Sequence, residues 1–142
     1  MKVSQSMRRD VVTIDENCSV MEASRRMREK NEGCAIILRE GKPVGIVTER
    51  DVTWKVAGEG LDPRKVKVKE VMSSPLVTVS PDATLIEASE LMSKHKIRRL
   101  AVVSDHKLHG ILTAADIAIN LEGYVDDEVR KILRATFFPI PH

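Results

Sequence analysis

Gly45-Ile46-Val47-Thr48-Glu49-Arg50-Asp51 returns 65 residues later as Gly110-Ile111-Leu112-Thr113-Ala114-Ala115-Asp116. Working outward from these two strings, the register holds without a gap. Met7-Arg8-Arg9-Asp10-Val11-Val12-Thr13-Ile14 meets Met72-Ser73-Ser74-Pro75-Leu76-Val77-Thr78-Val79, Glu22-Ala23-Ser24 meets Glu87-Ala88-Ser89, and Met27 meets Met92. Chance similarity does not keep one register over such a length. The chain is a duplicated unit, and self-similarity at a fixed period decides the architecture before any single element does.

Each copy reads the same way. Val11 to Ile14 and Leu76 to Val79 are predicted as short β-branched strands. Ser19-x-x-Glu22 and Thr84-x-x-Glu87 are capping boxes, followed by helical apolar spacing at Val20, Ala23, Met27 and at Leu85, Ala88, Leu91, Met92. Ala35 to Leu38 and Leu100 to Val103 suit strands buried on both faces. Gly41-Lys42-Pro43 predicts a turn into Val44 to Val47, and Asp105-His106-Lys107 one into His109 to Leu112. Thr48-x-x-Asp51 and Thr113-x-x-Asp116 then start second helices, with Gly58 and Gly123 as stops. The expected division is residues 1–60 for the first repeat, a polar linker over 61–70, residues 71–123 for the second repeat, and a C-terminal helix and tail over 124–142. A β-α-β-β-α unit of this size cannot bury both faces of its sheet alone, so the two copies are expected to pack sheet to sheet with pseudo-two-fold symmetry as an α+β fold.

Composition limits the function classes. Hydrophobic residues make up 42% and charged residues 31% of the 142, while aromatics are only 3%, so Val, Ile, Leu, Met and Ala must build the core. The net charge of +2 is too small to argue for a nucleic-acid partner, and Lys65, Lys67 and Lys69 lack the interleaved aromatics of a single-strand binder. No apolar run reaches the roughly 20 residues that span a bilayer, and no charged-then-apolar leader opens the chain. Cys18 and Cys34 have neither metal nor CxxC spacing and read as buried small apolar residues in a reducing compartment, which places the protein in the cytoplasm. His95, His106 and His109 form no metal set. No nucleophile–base pair, Walker loop or zinc spacing stands out, so the reading is non-enzymatic, with no catalytic residues and no cofactor. The methionines Met21, Met27, Met72 and Met92 are expected as core filler, and Trp54 as a packed residue.

Val71-Met72-Ser73-Ser74-Pro75-Leu76-Val77-Thr78-Val79-Ser80-Pro81-Asp82 closely resembles the opening of a CBS (cystathionine β-synthase) domain. Ile97-Arg98-Arg99-Leu100-Ala101-Val102-Val103 and the two Gly-h-h-Thr-x-x-Asp strings resemble its later motifs. The resemblance covers about residues 7 to 123. The first copy departs at its start, where Ser6-Met7-Arg8-Arg9 replaces the usual Val-Met-x-x-Pro. The resemblance implies a tandem CBS pair that often forms a disc-shaped homodimer, with clefts between the sheets that take AMP, ADP, ATP or S-adenosylmethionine and regulate a partner protein.

The Gly-h-h-Thr-x-x-Asp string has its own physical logic. Gly45 and Gly110 permit close backbone approach or unusual dihedrals. Thr48 and Thr113 set a hydroxyl at a helix N-terminus, whose N–H groups favour phosphate. Asp51 and Asp116 offer acceptors to a ribose diol. Carried over from the family, one cleft combines Thr48, Arg50 and Asp51 with Leu76, Val77, Arg98 and Arg99, with Lys94 and His95 nearby; its arginines suit phosphate. The other combines Thr113 and Asp116 with Val11, Val12, Gly33 and Cys34, lacks the paired arginines, and is expected to be weaker or to take a less charged ligand. The plain alternative for each Thr/Asp pair is a helix cap. The plain alternative for the protein is a ligand-free dimerisation scaffold, with S-adenosylmethionine or nucleic acid as further partners to test.

Overall fold

Runs of Val, Ile and Leu between turn residues make the strands, and the structure, a computed structural model, describes residues 1–120 and Lys131. In the first repeat, β1 (Thr13–Asp15) is followed by α1 (Val20–Lys30), β2 (Cys34–Arg39), β3 (Lys42–Thr48) and α2 (Glu49–Asp51), which runs on into a π-helical turn over Val52–Ala57. In the second, β4 (Thr78–Val79) leads to α3 (Leu85–His95), β5 (Arg99–Ser104), β6 (Lys107–Thr113) and α4 (Ala114–Ile119). Short 3-10 turns at Val3–Gln5 and Val68–Glu70 precede the two repeats. Each repeat makes a three-stranded sheet, ordered β1-β2-β3 and β4-β5-β6, in which β1 and β4 run parallel to their neighbours and β3 runs antiparallel to β2. This is the α+β, two-repeat architecture the duplication requires. The stop at Gly123, the helix over 126–134 and the segment Phe137-Phe138-Pro139-Ile140 lie outside the described residues.

Helix ends follow the sequence signals. Ser19 Oγ accepts from the Glu22 N–H at 3.1 Å, and Thr84 and Glu87 exchange bonds of 3.1 and 3.0 Å. Both helices stop at a left-handed residue, Asn31 (φ 53°) and Lys96 (φ 54°), whose N–H groups turn back to the last turn. Inside the first sheet β2 carries Cys34, Ala35, Ile36 and Ile37, all buried, as a central strand covered on both faces should.

Several expectations shift. The outer strands are shorter than predicted, because parallel pairing covers only Thr13–Asp15 against Ile36–Leu38 and Thr78–Val79 against Ala101–Val102; Val11, Val12, Leu76 and Val77 lead into them. The first hairpin turns at Glu40 (φ 52°) and Gly41 (φ 79°), not at Lys42-Pro43. Two successive positive φ values match the right-handed twist of the strands. Pro43 instead sits in β3 beside a bulge, where the register slips between Ile37 and Leu38 and a missing N–H does no harm. Cys18 is only half-buried, with its thiol pKa pushed up by burial and by Glu22 and Asp15. Met27 and Met92 are core residues, while Met21 and Met72 are half-buried. Trp54 is 63% exposed and lies under the Arg50 guanidinium, 4.6 Å from ring centroid to Cζ, so it is not a packed residue.

The chain divides into two compact units, and their membership departs from a simple split at the linker. One unit holds Asp10–Val77, with Asp105–Leu108; the other holds Met1–Arg9, Thr78–Ser104 and the chain from His109 onward. Each sheet is therefore completed by the strap that precedes the other repeat. Ser73 bridges Ile46 through bonds of 2.9 and 3.1 Å, and Arg8 bridges Ile111 through two of 2.9 Å. Lys67 pairs with Ser19, and Lys2 with Thr84, one helix earlier. All four positions obey the 65-residue register. The straps also bury Val68 and Val3 completely, Val68 in a core with Val20, Ala23, Met27, Ala35, Ile37, Val47 and Val56.

The close approach explains the two motif glycines. A Cβ on Gly110 would stand 2.5 Å from the Arg8 carbonyl oxygen, and one on Gly45 would stand 2.5 Å from the Met72 sulfur and 3.0 Å from the Ser73 carbonyl. Neither glycine has a positive φ, so packing against the strap fixes them, not an unusual dihedral. Because a thioether can swing aside and a backbone carbonyl cannot, Gly110→Ala should cost about 2–3 kcal/mol of unfolding free energy and Gly45→Ala about 1 kcal/mol. Urea titration of both variants measures this, and an equal or larger loss for Gly45→Ala would contradict it.

Candidate functional site

At the end of β3 the backbone of Thr48 stays extended (φ −116°, ψ 168°) while the next residues turn into α2. Asp51 Oδ2 accepts from the Thr48 N–H at 2.8 Å and from its hydroxyl at 3.2 Å, and Thr48 Oγ1 accepts from the Asp51 N–H at 3.4 Å. The second repeat rebuilds the same cage: Thr113 N–H and hydroxyl donate to Asp116 Oδ2 at 2.8 and 2.9 Å, and the Asp116 N–H returns to Thr113 Oγ1 at 3.1 Å. Both pairs are capping boxes. They differ from the caps of α1 and α3 in one respect that matters: Asp51 and Asp116 are 7% and 5% exposed, the only buried charged side chains among the described residues. An exposed cap does the same local work without the cost of taking a carboxylate out of water.

The N–H groups that would meet a phosphate are largely occupied. The Glu49 N–H donates to the Gly33 carbonyl at 3.0 Å and the Ala114 N–H to the Arg98 carbonyl at 2.9 Å, and the third N–H of each helix goes to the threonine hydroxyl. The expected helix-end phosphate site is reduced accordingly. Gly33 and Cys34 thus lie beside their own repeat's motif, Cys34 opposite Thr48 in the β2–β3 ladder.

The two cages differ in their cations. Lys55, one turn after Asp51 on the π-helical turn, places Nζ 2.9 Å from Asp51 Oδ1 and donates to the Val71 carbonyl at 2.8 Å. Asn120, its counterpart, donates to the Asp116 main-chain carbonyl at 2.7 Å, and Arg8 Nε stands 3.9 Å from Asp116 Oδ2. The Asp116 carboxyl is held above its ordinary value by burial; its bonds from Thr113 and the charge of Arg8 oppose this. Lys55 and Arg8 were not among the residues expected from sequence. The Asp51-x-x-x-Lys55 spacing is a signal that could have found the first, though any helix surface pair shares it; nothing in the sequence marks Arg8, whose counterpart in the register is Ser73.

The remaining expected residues are distributed as follows. Thr48, Arg50, Asp51, Leu76 and Val77 share one unit with Val11, Val12, Gly33 and Cys34, whereas Arg98, Arg99, Lys94, His95, Thr113 and Asp116 belong to the other. Arg50, Arg98, Lys94 and His95 are exposed, and Arg99, Leu76, Val77 and Val11 half-buried. Val12 and Cys34 are buried, Val12 within the core, so its main chain is what it offers; its carbonyl already accepts from the Ile36 N–H at 2.9 Å. Among the described residues no three metal-ligating side chains gather, and no helix is long and apolar enough to cross a membrane.

Comparison with known proteins gives the same picture. The family model for the CBS domain matches twice, at residues 3–58 and 68–123. The CBS domain-containing protein YhcV of Bacillus subtilis is 36% identical over 118 residues, 83% of this chain and 84% of its own. Among solved structures, a hexameric CBS-CP12 protein from bloom-forming cyanobacteria superposes with a TM-score of 0.80 at 31% identity, covering 96% of this chain and 78% of that one. The CBS domain protein PAE2072 from Pyrobaculum aerophilum, complexed with AMP, gives a TM-score of 0.76 at 24% identity and covers 96% and 99%.

The raised Asp116 carboxyl has a consequence for stability. The folded protein binds this proton more tightly than the unfolded chain, so the group's contribution is present below the unfolded pKa and is lost as pH rises through the folded one. The stability advantage of the wild type over Asp116→Asn should therefore shrink as pH rises from below the ordinary aspartate range to above it. Urea unfolding of both proteins across that range tests it; a constant or growing difference would refute it.

Proposed function

The chain belongs to the CBS domain family, and from that premise we propose that it is a non-catalytic regulatory module of the cytoplasm that binds an adenine nucleotide (AMP, ADP or ATP) and signals to a partner protein as a homodimer. The observation that carries the reading is the pair of buried, threonine-held carboxylates at homologous positions, Asp51 and Asp116. A buried carboxylate costs stability unless it is matched by strong donors. A ribose diol supplies two such donors and is common to every adenine nucleotide. The AMP in PAE2072 is a property of that protein; at 24% identity it lends the fold alone, so the reading here rests on the carboxylates.

The two motifs are unequal in this proposal. Asp51 and Thr48 would take the phosphorylated ligand, with Arg50 as a phosphate donor and Leu76 and Val77, of the same unit, against the base. Asp116 and Thr113 would take a less charged or weaker one. One observation favours the scaffold alternative: Asp51 already has both oxygens engaged, by Thr48 and by Lys55, so the cage is complete without a ligand.

Calorimetric titration and thermal melting with AMP, ADP, ATP, NADH and S-adenosylmethionine separate the two. A nucleotide at about 100 times its Kd should stabilise the folded protein by about 2.7 kcal/mol. Asp51→Ala should weaken binding about tenfold or more, from the loss of charge-assisted hydrogen bonds. No shift with any of these ligands would leave the scaffold reading.

A further inference from the structure

Asp51 is not idle in this structure, and what holds it is also what holds the strap. Lys55 Nζ lies 2.9 Å from Asp51 Oδ1 and 2.8 Å from the Val71 carbonyl, so one ammonium joins the candidate ribose acceptor to the segment that leads into Ser73. Two residues on, Ser73 makes the bridge that covers the edge of β3 at Ile46. The Oδ2 side is filled by the Thr48 N–H and hydroxyl. A diol that seeks two acceptors on this carboxylate must therefore take the lone-pair directions that Lys55 uses.

Such an exchange is cheap for the lysine. Its side chain is 48% exposed, against 9% for Asp51, and a half-exposed ammonium finds water as soon as it lets go. The second repeat lacks the device: Asn120 bonds to the main chain of Asp116, and the cation near that carboxylate is Arg8, on the opposite strap and at 3.9 Å. The same position thus carries a bridging cation in one copy and a neutral helix cap in the other.

We infer that Lys55 is a displaceable latch, which occupies Asp51 and steadies the Val71–Ser73 strap until a ribose takes its place. The inference rests on the nucleotide reading above and adds regulation to it: binding at Asp51 loosens the strap, while binding at Asp116 does not act through this route. Lys55 is then a competitor of the ligand and not one of its phosphate donors, although its charge invites the second assignment.

Lys55→Met keeps the length of the side chain and removes the ammonium; Lys55→Gln keeps a donor without the charge. Titration of AMP and of adenosine into both variants and the wild type should show about three- to fivefold tighter binding of both ligands to Lys55→Met, with Lys55→Gln between. In hydrogen exchange, AMP should speed the Ser73 amide of the wild type, and Lys55→Met should show that faster exchange with or without AMP. Unchanged affinity, or a loss confined to AMP, overturns the latch and leaves nucleotide binding standing. A Ser73 amide that AMP does not move overturns its link to the strap. Absence of binding by AMP, ADP and ATP to wild type and variants alike overturns the nucleotide reading and the latch with it.

Discussion

The structure depends on two places where main chain lies directly against main chain: Ser73 on Ile46, and Arg8 on Ile111. At each, a strap that precedes one repeat closes the open edge of the other repeat's sheet. An uncovered edge strand presents unpaired N–H and C=O groups, and here it is satisfied by the chain itself. The approach is possible because Gly45 and Gly110 have no side chain. Everything downstream on β3 and β6, including the turn into α2 and α4, is positioned by an edge that has been fixed in this way.

That edge ends at the Thr/Asp cage. The cage is built twice from the same atoms with bond lengths within 0.3 Å of each other, 3.4 against 3.1 Å for the longest pair. Local capping accounts for its hydrogen bonds but not for its burial, since Glu22 and Glu87, the acids at the same position of α1 and α3, are exposed. The Asp116 carboxylate is held where desolvation opposes its charge, and its raised pKa records this. At both positions the fold keeps a carboxylate out of water and holds it by the threonine N–H and hydroxyl of its own helix start.

Periodicity made the architecture legible, because apolar spacing, capping boxes and glycines repeat together and each copy corroborates the other. The edges of the reading failed where tertiary pairing overrides local signals. Val11, Val12, Leu76 and Val77 have strand composition, yet the parallel ladder reaches only the residues that follow them. Pro43 was read as turn because proline usually is, and a bulge in an outer strand accommodates it. Trp54 was read as packed because it is apolar, yet its partner is a guanidinium on its own turn. Of the candidate site, the Thr/Asp core was visible as a motif. Its cations were not: Lys55 lies at a spacing that any helix surface pair would share, and Arg8 reaches Asp116 only because the straps are exchanged between repeats, which no local pattern encodes.

Agreement and disagreement between the copies divide the residues by role. Gly, Thr and Asp of the motif and the buried Val3 and Val68 agree, and each is tied to closing an edge or building a cage. The differences gather in charge: Arg50 against Ala115, Lys55 against Asn120, Arg8 against Ser73, and Arg98-Arg99 against Gly33-Cys34. The first group is fixed by close backbone approach or by burial, whereas in the second Arg50, Lys55, Ser73 and Arg98 are exposed and Arg8, Arg99 and Asn120 half-buried. The two halves thus share one skeleton and carry unlike charges around it. The duplication has therefore kept a threonine-held carboxylate in both halves, while the cation beside it differs: Lys55 of the following turn in one, Arg8 of the strap in the other.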